Sequence, residues 1–271
     1  MNNFLAVLKA SFQRDLQNYM SYRFNIFGEL FFNFFIVFMI FYLAKVFETS
    51  ESEFLTRYNN NYFVFLLTGL MLFLFLTRLF STILIFITSA QNLGYFESFF
   101  NTRTSIETII ISSSVFPMIQ SSLRIIIIYI FCNIFAPGAL NLMNLLDIML
   151  ILLFSSLPFI GIALCAGSLI VVFKRASFVS SIFLLGCAIF SGVFYPINVL
   201  PEYLQKLSLI FPSSFSLEII RGRVLENFSY TNFYWDLILI GILSVFYIFL
   251  GLKVLKLAIN KAKREGSIGH F

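Results

Sequence analysis

Histidine and cysteine are scarce in this chain of 271 residues. The single histidine is His270, so neither a Ser–His pair nor a histidine metal cluster can be assembled. The three cysteines, Cys132, Cys165 and Cys187, fall in apolar runs, which favours packing residues over disulfides or thiolate metal sites. The phosphate-binding pattern G-x-x-x-x-G-K-[ST] does not occur. These absences disfavour a hydrolase, a metalloenzyme and a chain that binds ATP by itself, and no cofactor is expected in this chain.

Charged residues are also few, at 11%, whereas 59% of the residues are hydrophobic and 38 are phenylalanine. A soluble domain of this length does not tolerate such a composition, so the sequence predicts an all-α membrane protein that crosses the membrane several times. Six apolar runs each have the ~20 residues that a helix needs to cross about 30 Å of hydrocarbon. The predicted transmembrane domain covers 26–257, with spans at 26–47, 62–90, 112–136, 145–173, 177–199 and 233–257.

The net charge of +5 is interpreted as a topology signal and not as a nucleic-acid patch, because most of the excess lies beside apolar runs. Six crossings place both termini on one side of the membrane. The connections on that side hold more Lys and Arg than the others, which predicts cytoplasmic termini in the cell's inner membrane. The connection 200–232, which includes Arg221, is assigned to the far side.

The two ends of the chain carry different predictions. Segment 1–25 has apolar residues at helical spacing opposite polar ones, which predicts an amphipathic helix at the inner membrane surface. Those apolar residues are Leu5, Leu8, Phe12, Leu16 and Tyr19. Segment 258–271 is predicted to be a basic cytoplasmic tail.

The stretch 191–223 is apolar but interrupted by Gly192 and by prolines, so it cannot be one straight helix. A short piece at 202–210 has one apolar and one polar face. Such pieces lie at a membrane surface or dip into it without crossing.

The near-side segment 94–103 contains three phenylalanines beside Glu97. A short helix here is predicted to offer exposed aromatic rings to a groove on another protein, with one charge to set the register. The alternative is an interfacial helix that contacts lipid headgroups.

Two arginines, Arg78 and Arg124, lie inside predicted spans at similar depth. Charge inside a membrane is costly and usually faces the bundle interior or a wet cavity, so these residues are candidates for lining the path of an anionic headgroup. The alternatives are snorkelling toward the cytoplasmic interface and pairing with Glu29.

The order of residues in the broken stretch resembles one family. Ser191-Gly192, an aromatic residue, a proline, Leu-Pro, an amphipathic turn, Phe-Pro, Leu-Glu and an arginine follow one another as in the last outer loop of type-2 ATP-binding-cassette (ABC-2) exporter permeases. Further matches are the amphipathic start, Leu67-Thr68-Gly69 and the segment Gly94 to Thr102, so the resemblance extends over nearly the whole chain.

This resemblance implies six spans, with a re-entrant helical hairpin between the fifth and the sixth. The implied hairpin residues are Gly192, Tyr195, Pro196, Pro201, Pro212, Glu218 and Arg221. It also implies a coupling helix that contacts the ATPase subunit through Gly94, Phe96, Glu97, Phe99, Phe100, Thr102 and Arg103. Arg103 stands where the family often has Pro, so the end of that helix is less sharply defined.

The function implied by the resemblance is the membrane subunit of an exporter for an amphipathic or lipid-linked substrate of the drug, lipid or polysaccharide class. A second copy or a similar permease, an ABC ATP-binding subunit and membrane lipid are the implied partners, and ATP is hydrolysed on the separate subunit. The alternative is an ion-coupled secondary carrier or a channel, which would use inverted repeats and helices broken near the midplane. The halves of this sequence show no evident symmetry, which disfavours the alternative.

Overall fold

The computed structural model describes residues 2–48, 61–94, 96, 98–99, 102, 104–173, 176–225 and 233–264. Regular structure in these ranges is helical, which confirms the predicted all-α class. A 3₁₀ turn at Ile197–Val199 precedes the eighth helix. The α-helices are α1 Asn2–Ser21, α2 Arg23–Glu48, α3 Tyr62–Asn92, α4 Ile106–Ser113, α5 Val115–Phe135, α6 Leu142–Phe173, α7 Ala176–Phe190, α8 Glu202–Ser208, α9 Pro212–Val224 and α10 Phe233–Arg264.

Within the described ranges, five helical stretches are long and apolar enough to cross a membrane. They correspond to five of the six predicted spans, and the chain is therefore a multi-pass membrane protein. α10 continues to Arg264, so the first part of the predicted basic tail is helical. The five stretches are Arg23–Val46, Tyr62–Asn92, Ile106–Phe135, Leu142–Phe173 and Phe233–Arg264.

The predicted fifth span, 177–199, is not one helix. α7 has 15 residues, and at 1.5 Å per residue it reaches about 22 Å, short of the roughly 30 Å of hydrocarbon. The chain turns at Gly192, whose φ of +74° lies in the left-handed region that glycine adopts without strain. Pro196 follows with extended backbone. Six continuous spans are therefore not confirmed.

The predicted third span, 112–136, is the C-terminal part of a longer stretch that starts at Ile106 and is interrupted at Ser114, between α4 and α5. Pro117 explains the break, because its ring nitrogen cannot donate to the carbonyl of Ser113. The hydroxyl of Ser114 donates to the carbonyl of Ile111 at 2.7 Å and satisfies one of the acceptors at the end of α4.

The centre of the bundle is built from α3 and α6, and α10 packs along α6. α3 contacts α2, α5, α6, α7 and α9, and most of its first half is buried. α6 and α10 approach so closely that a Cβ atom at Gly161 would collide with the backbone of Tyr247, and one at Gly251 would collide with the carbonyl of Gly161. Small residues thus allow backbone contact between membrane helices.

The helix α2 is, together with α10, among the least buried of the five spans. Most of its aromatic side chains, such as Phe24, Phe27 and Phe31, lie on the surface. Its buried side is narrow and consists of Asn33, Val37, Ile40 and Ala44. Because α2 crosses the membrane, its exposed face is available to lipid or to another membrane chain.

The helix α1 lies against α4 and α5. Phe12 and Tyr19, from its predicted apolar face, make edge contacts with the ring of Phe116 at centroid distances of 5.6 and 5.9 Å. Leu5 and Leu16, from the same predicted face, are exposed. The apolar face of α1 is therefore divided between the bundle and the surroundings, and its location at the membrane surface stays a prediction.

Candidate functional site

A polar network joins four helices beside the middle of α3, on the side of the bundle where α1 lies. As names for places in the fold, this side is called the inner side, and the opposite side, with the start of α3 and the Gly192 turn, is called the outer side. Oε1 of Gln120 accepts a hydrogen bond from Nη2 of Arg78 at 3.0 Å, and its Nε2 donates to both carboxylate oxygens of Glu29, at 3.2 and 3.4 Å. The Tyr19 hydroxyl donates to Oε2 of Glu29 at 3.3 Å. Nη2 of Arg78 lies 4.0 Å from Oε1 of Glu29, so the amide of Gln120 mediates the closer contact between the two charges.

The network ties α1 to the spans, because Tyr19 comes from α1 whereas the other members come from α2, α3 and α5. Partial burial and the nearby Glu29 carboxylate raise the pKa of the Tyr19 phenol above its usual value. The phenol therefore stays protonated and keeps its donor for the carboxylate.

A cavity of about 780 Å³ lies against this network, between α1, α2, α3 and the α4–α5 pair. Its size falls in the range of small-molecule sites. Beyond the network, polar side chains of Arg14, Asp15, Asn18 and Asn25 line it. The apolar part of its lining includes Phe24, Phe32, Ile85, Phe86 and Phe116.

The two predicted intramembrane arginines have different surroundings. Arg78 lines the cavity, and its side chain is 46% exposed. Nε of Arg124 donates to Oδ1 of the buried Asn33 at 2.8 Å, and its guanidinium lies 5.4 Å from the centre of the Phe32 ring. Arg124 is not among the residues that line the cavity. Of these two arginines, Arg78 is therefore the one with access to a space large enough for a ligand.

The sequence indicated Glu29 as an alternative partner for an arginine, and the structure places it near Arg78. Gln120, Asn33 and Tyr19 were not predicted as members of the site. An amide residue inside a long apolar run was the available signal for the first two, because a buried amide needs hydrogen-bond partners.

The outer side of the bundle contains a buried arginine at the predicted hairpin. Arg221 is 2% exposed, and its Nη2 donates to the carbonyls of Gly192, Phe65 and Val193 at 2.9, 3.2 and 3.4 Å. Its guanidinium lies 3.6 Å from the centre of the Phe65 ring. The Gly192 turn packs so closely on α3 that a Cβ atom at Gly69 would collide with the carbonyl of Val193.

The sequence placed Arg221 in a connection between spans on the far side of the membrane. In the structure, Arg221 is buried among helices. The connection contains α9, which packs against α3, α6 and α10. Arg221 is buried there because the turn after α7 presents carbonyl oxygens that its guanidinium can satisfy. Charge counting along the sequence cannot detect such carbonyls.

The ends of the predicted hairpin meet inside the bundle. The hydroxyls of Ser191 and Ser213 are in contact, and the rings of Phe190 and Phe211 are stacked at 5.8 Å. Pro212 is the first residue of α9, where its missing N–H has no consequence. Between these ends, Pro201 precedes α8, and the Tyr195 hydroxyl donates to the carbonyl of Ile189 at 2.7 Å. Glu218, which follows on α9, is half-buried.

The predicted coupling segment begins at Gly94, whose φ of +73° ends α3. Two of its three phenylalanine rings, Phe96 and Phe99, are described, and they are less exposed than was predicted. Phe96 is 2% exposed, its N–H donates to the Ala90 carbonyl at 3.0 Å, and Phe99 is half-buried and stacked on Phe86 at 5.8 Å. Phe96 belongs to an apolar cluster with buried residues of α3, α4, α6 and α10, which the local sequence does not show.

The remaining residues of this segment are described only in part. Thr102 is exposed, and its hydroxyl donates to the Phe99 carbonyl at 2.8 Å. The predicted contact residues Glu97, Phe100 and Arg103 lie outside the described residues. A polar cavity of about 260 Å³ separates the segment from the basic end of α10, with Lys256 in its lining.

Comparison with known proteins gives one family match. The model of the family described as ABC-2 type transporter matches residues 2–225, which include the inner network, the segment after α3 and α9. Among curated proteins, no sequence matches this chain.

Proposed function

Because the chain belongs to the ABC-2 type transporter family and is a transmembrane permease, we propose that it is the membrane subunit of an ABC exporter for an amphipathic or lipid-linked molecule. The drug, lipid and polysaccharide classes all fall within this proposal. The observation that carries it is the cavity of about 780 Å³, which combines charged and aromatic side chains inside an apolar bundle.

The energy comes from ATP bound to a separate subunit. The family normally works with an ATP-binding partner, and the sequence has no phosphate-binding loop. A partner can drive this chain only if it contacts two conformations of the chain differently. Since ATP is cytoplasmic, that contact lies on the cytoplasmic side.

The segment after α3 is the proposed coupling element. The burial of Phe96 supports this role in a revised form, since the ring belongs to an apolar cluster with α3, α4, α6 and α10. A movement of the segment would then be passed to these helices. The partner then contacts what remains exposed, including Leu93 and Thr102. Lys256 at the neighbouring end of α10 adds positive charge beside this surface.

The proposed topology has six crossings, with α7 and α9 together forming the fifth. The contact between Ser191 and Ser213 supports this arrangement, because it joins the end of α7 to the start of α9. Their 15 and 13 residues add up to roughly 42 Å of helix, enough to cross the hydrocarbon. Both termini are then cytoplasmic, and the hairpin from Tyr195 to Phe211 closes the outer side of the path where two copies of the chain meet.

The proposal is tested by purification from native membranes. A tagged chain, cross-linked before solubilisation, should recover an ATP-binding subunit that carries a phosphate-binding loop. The chain purified without that subunit should hydrolyse no ATP above an empty-nanodisc control. If the chain alone accumulates substrate in vesicles when only an ion gradient is supplied, the secondary-carrier alternative replaces the exporter.

A further inference from the structure

We propose that the cavity between α1, α2, α3 and α5 binds the phosphate of an amphipathic molecule, with Arg78 as its ligand and with the apolar tail beside α2 and α3. This inference names the ligand class for the transport proposed above and rests on that function. It also separates Arg78, which contacts the ligand, from Arg124, which does not.

The lining of the cavity fits a molecule with two chemically different ends. Polar groups of α1, Arg14, Asp15 and Asn18, accompany the network around Arg78. The apolar lining residues Phe24 and Ile85 are 88% and 62% exposed. Because α2 and α3 cross the membrane, these exposed side chains border lipid, and a tail can stay in the hydrocarbon while the headgroup enters the cavity.

The position of Arg78 inside a membrane-crossing helix explains why a headgroup needs this protein. Arg78 lies 14 residues before the end of α3 at Asn92. A phosphate among the apolar residues of such a helix is strongly disfavoured without protein partners. The guanidinium of Arg78 provides one partner, and Arg14 and Asn18 of α1 line the same cavity, with Arg14 paired to Asp15 at 2.8 Å.

Arg78 has donors available for an anion. Within the described part of the chain, its polar contacts are made by Nη2, to Gln120 and Glu29. Gln120 accepts from one of the two N–H groups of Nη2. The other N–H of Nη2, together with either Nε or Nη1, can therefore bind a phosphate through two parallel hydrogen bonds.

Glu29 supplies the counter-charge when no ligand is bound. Its carboxylate is 4.0 Å from Arg78 Nη2, at the outer limit of an ion pair, and it is held there by Gln120 and Tyr19. A phosphate on Arg78 is therefore attracted by the guanidinium and repelled by the Glu29 carboxylate. This geometry predicts opposite effects for the removal of the two charges, which a merely structural network does not produce.

The test measures binding to the purified full chain in detergent by native mass spectrometry. The probes are dioleoyl phosphatidic acid, dioleoylglycerol with the same tails and no phosphate, and inorganic phosphate with no tails. Phosphatidic acid should bind more tightly than both others. Arg78→Gln should weaken its binding about tenfold, because a bidentate charge-assisted contact is lost, and Glu29→Gln should strengthen it about threefold.

The matched control is Arg124→Gln, which removes an intramembrane arginine of similar depth that does not line the cavity. It should leave phosphatidic acid binding within about twofold. Size-exclusion chromatography checks that each variant is folded. Should Arg78→Gln not fold, Arg78→Lys keeps the charge without the bidentate geometry, and the strengthening by Glu29→Gln remains as an independent readout.

Three results would overturn the inference. Equal binding of dioleoylglycerol would make the cavity a simple apolar groove, and equal binding of inorganic phosphate would make it a site for soluble anions. Weakening by Glu29→Gln would show that the pair is structural. These measurements use no ATP and no partner subunit, so their failure leaves the exporter proposal intact, whereas an absent ATP-binding partner contradicts that proposal without affecting the binding result.

Discussion

Two arginines inside the helical bundle, Arg78 on the inner side and Arg221 on the outer side, have contrasting surroundings. Arg221 is 2% exposed and is satisfied by three backbone carbonyls and by the face of Phe65. Arg78 is 46% exposed, its closest partner is the side chain of Gln120, and it borders a large cavity. The first arginine has the environment of a structural residue, whereas the second has the environment of a ligand-binding residue.

The physical basis of this contrast is the kind of partner. Carbonyl oxygens of a turn are fixed by the backbone, so a guanidinium that binds them holds α9, the Gly192 turn and α3 together. Side-chain partners such as Gln120 and Glu29 can rearrange when a ligand arrives, because they rotate independently of the backbone. Substitution of Arg221 should therefore have the larger effect on stability, and substitution of Arg78 should have the larger effect on ligand binding.

The largest effect on stability is expected for Arg221→Leu. It leaves buried carbonyls without their donor and removes the ring contact with Phe65, and we expect a loss of about 3 kcal/mol or more. Unfolding in detergent, followed by circular dichroism, measures the loss. The control is Arg223→Leu, which removes an exposed arginine from the same helix and should cost less than about 1 kcal/mol. Equal losses in the two variants would refute the structural role of Arg221.

A smaller loss is expected where the outer turn contacts α3. Gly69→Ala forces a methyl group against the Val193 carbonyl and should destabilise the fold by roughly 1–3 kcal/mol. Gly28→Ala is the control, since no atom lies within 4 Å of the added methyl group and alanine favours helix by up to about 1 kcal/mol. The same unfolding measurement applies, and a stabilised Gly69→Ala variant would show that the turn does not pack on α3.

Next in size is Gln120→Leu on the inner side. It removes the amide between Arg78 and Glu29, and we expect a loss of about 1 kcal/mol because both charges keep access to the cavity. A double-mutant cycle with Arg78→Gln should show coupling of about 0.5 kcal/mol or more. A cycle with Arg124→Gln should show weaker coupling, because the Arg124 guanidinium binds Asn33 and not Gln120. Coupling of the same size in both cycles would mean that Arg124 belongs to the network.

The smallest effect on stability is expected at the proposed coupling surface. Leu93 is 74% exposed, so Leu93→Asp should change the unfolding free energy by no more than about 0.5 kcal/mol. It should nevertheless reduce the amount of ATP-binding subunit recovered with the chain. Leu142→Asp, at an exposed leucine that begins α6, is the control and should leave recovery unchanged. Unchanged recovery with Leu93→Asp would remove this surface from the coupling proposal.

The differences between prediction and structure have one origin. The broken stretch was recognised from Gly192 and Pro196, because these residues restrict the local backbone wherever they occur. The inward position of Phe96 and the burial of Arg221 were not recognised, because both depend on surfaces that distant helices provide. The different environments of Arg78 and Arg124 also depend on distant helices. The similar positions of the two arginines within their predicted spans do not indicate which side chains from other helices lie beside them.

Composition and the length of apolar runs were sufficient to determine the membrane class, the all-helical fold and most of the spans. The physical reason is that transfer of a segment into hydrocarbon depends on the segment itself. Tertiary structure alone decided which arginine is satisfied by carbonyls and which one borders a cavity. That outcome depends on the atoms that α2, α5, α7 and α9 place beside α3, and these helices are far apart in the sequence.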